Sequence, residues 1–151
     1  MSSTDRIEKK IVLKAPRATV WTALTDAKQF GTWFRVALEG PFVAGEKVRG
    51  KILNPGYEHL QWEAAVETID AARGYFAFRW HPYAIDPAVD YSTEPSTLVE
   101  FQLAEAPGGT QLTVTESGFD KIPAHRREEA FRMNSGGWEA QMKNIEKHVA
   151  T

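Results

Sequence analysis

The sequence predicts an α+β domain in which an antiparallel sheet is covered on one face by a long C-terminal helix. Three observations carry that prediction. Apolar residues recur at Phe131, Trp138, Met142, Ile145 and Val149, in the helical steps that put them on one stripe. Upstream, segments of period two follow one another across short turns, and clean alternation implies one buried and one wet face. No repeat, low-complexity tract or linker interrupts the chain, so residues 1–151 read as a single domain.

The elements follow in order. Arg6 to Lys14 alternates Ile7, Ile11 and Leu13 against Glu8, Lys10 and Lys14, which reads as a first strand. Pro16 opens a short helix with Val20, Trp21 and Leu24 on one face. Asp26 with Gln29 resembles a capping box for a second short helix ending near Gly31, and Phe30, Trp33 and Phe34 close this unit. Strands are then expected at Val36 to Glu39, Glu46 to Leu53, Gln61 to Ile69, Tyr75 to Trp80, Thr97 to Leu103 and Gln111 to Glu116. Asn54-Pro55-Gly56, Asp70 to Gly74 and Pro107-Gly108-Gly109 are turns, and a longer loop runs from His81 to Ser96. The last helix spans Pro123 to Val149, with Pro123 at its first position, where a missing N–H costs nothing. Gly136 and Gly137 sit inside it, at about 1 kcal/mol each relative to Ala.

Composition narrows the function. A net charge of −2 gives no electrostatic case for nucleic acid or for an anionic membrane surface. With no cysteine, disulfides, thiolate catalysis, Cys-ligated iron–sulfur clusters and Cys-type zinc sites are excluded. The polar start MSSTDRIEKK lacks the apolar run of a signal peptide and no stretch is long enough to span a membrane, so a cytoplasmic location is expected. Five Trp, eight Phe and four Tyr supply either a core or a pocket lining.

The order strand, two short helices, six strands, long helix is that of the helix-grip fold. Ala15-Pro16 through Val20-Trp21, Leu24-Thr25-Asp26 and Trp33-Phe34 resemble the opening signature of the START-like, or SRPBCC, superfamily. Gly45 before the Val48 strand, Glu116-Ser117-Gly118-Phe119, and Gly137-Trp138 with Met142 and Ile145 behind it are similar, more narrowly, to the branch of the activator of heat-shock-protein (HSP) ATPase homologues. The resemblance spans nearly the whole chain. It implies a curved antiparallel sheet of about seven strands wrapped around the C-terminal helix, with an apolar cavity between them. It implies no common chemistry, because the superfamily includes lipid and hormone binders, polyketide cyclases and co-chaperone domains.

The inward aromatics Trp62, Phe78, Trp80 and Phe101 are expected to face Phe131, Trp138 and Met142 across that cavity, while the glycine pair leaves room for a guest. Glu116 continues the inward register of Leu112 and Val114. A carboxylate there needs a partner or a proton, and Arg127, on the apolar side near the helix start, is the candidate. Asn134 and Ser135, at the edges of the stripe, are further polar contacts for a ligand. His81 continues the outward register, and His125 with Glu129 lacks a third ligand, so no metal site is expected. Lys47, Arg49 and Lys51 form a basic row on the wet face, read as solvated. The loop from His81 to Ser96 is expected to gate the cavity.

Three functions compete. The first is binding of a small apolar or aromatic ligand, with no cofactor, nucleic acid or membrane involved. The second is an enzyme of the cyclase, aromatase or dehydratase type, with Glu116 as acid or base and Asn134 or Tyr83 positioning the substrate. The third is a co-chaperone-like interaction module.

Overall fold

The computed structural model describes residues 6–53, 55–56, 60–82 and 91–150. In chain order these form β1 (Arg6–Leu13), α1 (Arg17–Thr25), α2 (Ala27–Phe34), β2 (Val36–Leu38), β3 (Lys47–Ile52), β4 (Gln61–Asp70), β5 (Tyr75–Trp80), β6 (Thr97–Ala106), β7 (Gly109–Ser117) and α3 (Ala124–Val149). The seven strands make one sheet in the order β1-β7-β6-β5-β4-β3-β2. Every pairing is antiparallel, and β4 carries a bulge between Val66 and Thr68 against β5. This is the α+β helix-grip fold, with α3 as the gripped helix.

Period two does the sorting. Along β6, Thr97, Val99, Phe101 and Leu103 are buried, and along β7 Leu112, Val114 and Glu116 are buried with them. α3 answers with Ala130, Trp138, Met142, Ile145 and Val149. Pro123 caps this helix from outside, and no side chain bonds its first turn. Each fully buried large side chain contributes about 1.5–3 kcal/mol, so this inner layer is the main source of stability.

Two glycines mark close approaches. A Cβ on Gly109 would collide with the Leu13 carbonyl where β7 begins beside β1, and one on Gly31 would collide with the Val36 carbonyl. Gly31 therefore does not end α2. The helix runs on to Phe34 and stops at Arg35, whose φ of 67° lets its N–H reach the Gly31 carbonyl at 2.9 Å. The Asp26 side chain makes no capping bond, so the expected capping box is absent.

Candidate functional site

Glu116 is the centre of the polar interior. It lies on β7 opposite Val99 of β6 and Ile7 of β1, with no exposed surface. Its neighbours follow from register. Trp80 ends β5 opposite Thr97, which begins β6, and Thr97 is two residues from Val99 on the same face. On the helix, Asn134 and Trp138 are one turn apart and share the side facing the sheet.

Those four side chains all donate to the one carboxylate. Trp80 Nε1 and Thr97 Oγ1 reach Oε2 at 2.7 and 2.6 Å. Trp138 Nε1 reaches Oε1 at 2.8 Å, and Asn134 Nδ2 bridges both oxygens at 3.0 and 3.1 Å. The donors are neutral. The expected partner Arg127 is elsewhere: its Nε donates to the Ile122 carbonyl at 3.1 Å. Burial pushes the Glu116 carboxyl above its ordinary range, and the bonds from Thr97, Trp80, Trp138 and Asn134 pull back without cancelling it. Its lone pairs are taken up within the protein, so Glu116 fastens β5, β6 and its own β7 to the helix and has no free valence for a substrate.

Around this knot the aromatics stack on one another. Trp80 stacks on Trp138 with centroids 5.7 Å apart and the ring planes 29° from parallel, and Phe78, Phe101 and Trp62 pack behind them at 5.4 to 6.0 Å. Phe30, Phe34 and Phe42 extend the same cluster from α2 and the following segment. What remains open beside it is a cleft of about 90 Å³, walled by Phe34, Trp80, Asn134, Gly137, Trp138 and Gln141. A Cβ on Gly136 or Gly137 would meet nothing within 4 Å, and of the two only Gly137 is in the cleft wall.

Of the residues singled out from sequence, Trp80, Asn134 and Trp138 therefore meet at the cleft, with Glu116 behind them. Trp62, Phe78 and Phe101 form the ring layer behind the wall, and Trp62 Nε1 is buried there with no acceptor among the described residues. Phe131 packs on Phe119 at 5.2 Å, away from the cleft. Met142 is buried a turn beyond Trp138, and Ser135 is half-buried. Residues 83–90 lie outside the described residues, and with them Tyr83 and most of the expected gate, as do Asn54 and His59.

Four contributors escaped the sequence reading. Thr97 was within reach of it, because it shares the parity of Val99. Phe34 and Gln141 were not placed at the wall; Gln141 Nε2 donates to the Phe34 carbonyl at 3.2 Å. Arg126 is the fourth. Its Nε bonds Glu94 Oε1 at 2.8 Å, its Nη1 bonds the Pro82 carbonyl at 2.8 Å, and its guanidinium stands 4.8 Å over the Tyr91 ring. Nη2 lies 2.6 Å from the same Glu94 oxygen, an ion-pair contact too bent for a hydrogen bond. One arginine at the start of α3 thus fastens the chain on both sides of residues 83–90, and His81 Nε2 meets the Glu94 carbonyl at 3.0 Å beside it.

A sheet gripping a terminal helix, with a small aromatic cleft where they part, defines a START-like domain. Within that class the chain belongs to the family described as Activator of Hsp90 ATPase homolog 1-like protein, whose model matches residues 14–150. The fold is similar to that of DynU16, a protein of the dynemicin biosynthetic locus, at a TM-score of 0.74 and 21% identity over 97% of this chain. The match covers 48% of DynU16, so the chain spans about half of that protein. A Mesorhizobium loti protein is similar at a TM-score of 0.74 and 18% identity, over 96% of both chains. The Aha1 dimer from Colwellia psychrerythraea is similar at 0.70 and 16%, over 95% of both. No curated protein matches the sequence. Among the described residues, no helix is long and apolar enough to cross a membrane.

Proposed function

We propose that the protein binds a small organic molecule by an apolar or aromatic part in the cleft between Phe34, Trp80, Gly137 and Trp138. One observation carries the reading. Trp80, Asn134 and Trp138, half of the cleft wall, are locked in place by a single buried carboxylate, while Gly137 beside them adds no side chain to the opening. A wall held rigid before the ligand arrives lowers the ordering cost of binding. The cleft is smaller than the roughly 300–1,000 Å³ of sites that enclose a drug-sized ligand, so it suits one ring or a headgroup with the remainder outside. Glu116 supports this as a positioning residue. A general acid or base must touch the proton it moves, and Glu116 stands behind the wall with its lone pairs engaged.

The packed ring layer favours a second reading, a protein-interaction module. The large apolar side chains most exposed among the described residues, Val12, Val43, Leu53 and Met133, are far apart in the chain and are what such a partner would have to use.

The test is a titration of intrinsic tryptophan fluorescence with 2-naphthol, in the natural protein and in Gly137→Leu. The added side chain has open space at its Cβ and no reason to disturb the helix. Saturable quenching in the natural protein, weakened at least about tenfold in the variant with no fall in melting temperature, is the expected result. Equal affinity in both proteins would place the ligand elsewhere and sink the proposal.

A further inference from the structure

We infer that the ligand presents a small organic cation, an alkylated ammonium group, to the Trp80 side of the cleft, in front of Trp138. The inference rests on the binding site just proposed and specifies what that site selects. It starts from which polar atoms remain for a guest. Both indole N–H groups and the Asn134 amide point inward to Glu116, and Gln141 Nε2 donates to the Phe34 carbonyl. Each donor nitrogen of the wall thus has an acceptor in the protein, with one Gln141 N–H to spare, and Gln141 Oε1 accepts from Asn144 Nδ2. Asn134 Oδ1 has no donor among the described residues, and its orientation is fixed because the opposite flip would set an oxygen against the carboxylate. Among the described residues the wall includes no Lys or Arg. Among the described residues a guest therefore meets the free Asn134 oxygen, one Gln141 N–H and the rings of Phe34 and Trp80, with the 2% exposed Trp138 and then a buried carboxylate behind them.

Ring faces carry the negative side of the aromatic quadrupole and attract ammonium groups, most strongly at Trp. An indole whose N–H donates to a carboxylate is more electron-rich than a free one, which strengthens that attraction. The carboxylate has only neutral partners, so its charge, when ionised, is not cancelled nearby. The field of an uncancelled charge extends through the low-dielectric ring layer to the cleft. A cation at the mouth and the ionised form of Glu116 stabilise each other. A neutral guest of the same shape gains the contact area and none of this.

The experiment compares choline with 3,3-dimethyl-1-butanol, its uncharged counterpart of nearly equal shape, by calorimetry and by displacement of 2-naphthol. Choline binding at least about tenfold more tightly than the alcohol, with that preference lost in Gly137→Leu, is the expected result. Glu116→Gln loosens the wall as well as removing the charge, so it should weaken both compounds and choline the more, shrinking the preference. Should that variant fail to fold, the comparison in the natural protein decides alone. Equal or tighter binding of the alcohol overturns the inference and leaves the cleft standing as a binding site. Naphthol binding that neither compound displaces has the same meaning. Failure of naphthol, choline and the alcohol together overturns the cleft itself.

Discussion

The two faces of the sheet handle charge in opposite ways. On the outer face, Arg49 meets Glu63 at 2.6 Å and Arg79 meets Glu67 at 2.7 Å, each pair straddling neighbouring strands in the open. Their side chains keep from 38 to 56% of their surface in water. On the inner face a single carboxylate has no exposed surface and no cationic partner, and four neutral donors surround it. Outside, water would replace either member of a pair if the other were removed. Inside nothing would, and each donor would be left buried and unmatched. The same residue type is an ornament on one face and the tie between sheet and helix on the other.

The largest expected effect breaks the inner tie. Glu116→Ala removes the acceptor of two indoles, an amide and a hydroxyl at once. Buried unsatisfied donors cost about 1–3 kcal/mol each, and partial rearrangement leaves an expected loss of about 3–5 kcal/mol. Denaturant unfolding should show the midpoint falling with the slope unchanged. Emission of Trp80 and Trp138 should also change in the folded variant. A loss below about 1 kcal/mol would show that the inner carboxylate is no more structural than the outer ones.

The next effect depends on pH. Because burial raises the Glu116 pKa in the folded state, the native protein holds this proton more tightly than the unfolded chain. Stability from this group is therefore full below the ordinary carboxylate pKa and is lost as pH rises through the raised one. Thr97, Trp80, Trp138 and Asn134, the groups that bond the carboxylate, do not titrate in that window. The difference in unfolding free energy between the natural protein and Glu116→Gln should fall with rising pH, then level off. A difference that grows with pH would mean that the four hydrogen bonds outweigh burial, which reverses the sign argued here.

How much of this was legible in the sequence divides along the same line. Period two placed every strand and put Glu116 inward, because Leu112 and Val114 fix the parity. Parity would have found Thr97 as well. The helix was harder. Arg127 falls on the apolar side by angle, yet its guanidinium turns back to the Ile122 carbonyl, since angular position does not say where a long side chain ends. Phe131 falls on the stripe, but Ala130 is the residue the sheet buries there, and Phe131 turns to Phe119. Phe34 stayed unplaced because Gly31 read as a helix stop, whereas it is a glycine for its contact with the Val36 carbonyl. The size of the cleft was beyond any pattern. It depends on how nine-atom indoles interlock, and a binary pattern carries no volumes.

The smallest effect tests the outer face on its own terms. Arg79 and Glu67 suit a double-mutant cycle, because Glu67 sits in the β4 bulge, where its position is not fixed by a ladder partner on β5. The hydrogen bond is short at 2.7 Å, but both side chains are 43% exposed, so water competes for it and salt screens it. Replacing each by Ala, singly and together, should give a coupling of about 0.2–1 kcal/mol that shrinks as salt is added. The coupling is the right quantity because the single changes also alter strand propensity and stem packing, which cancel in the cycle. A coupling above about 2 kcal/mol, insensitive to salt, would mean that the bulge shields the pair from water. The outer face would then hold a charge in the way the inner face does, and the contrast between the two would reduce to the number of donors around each carboxylate.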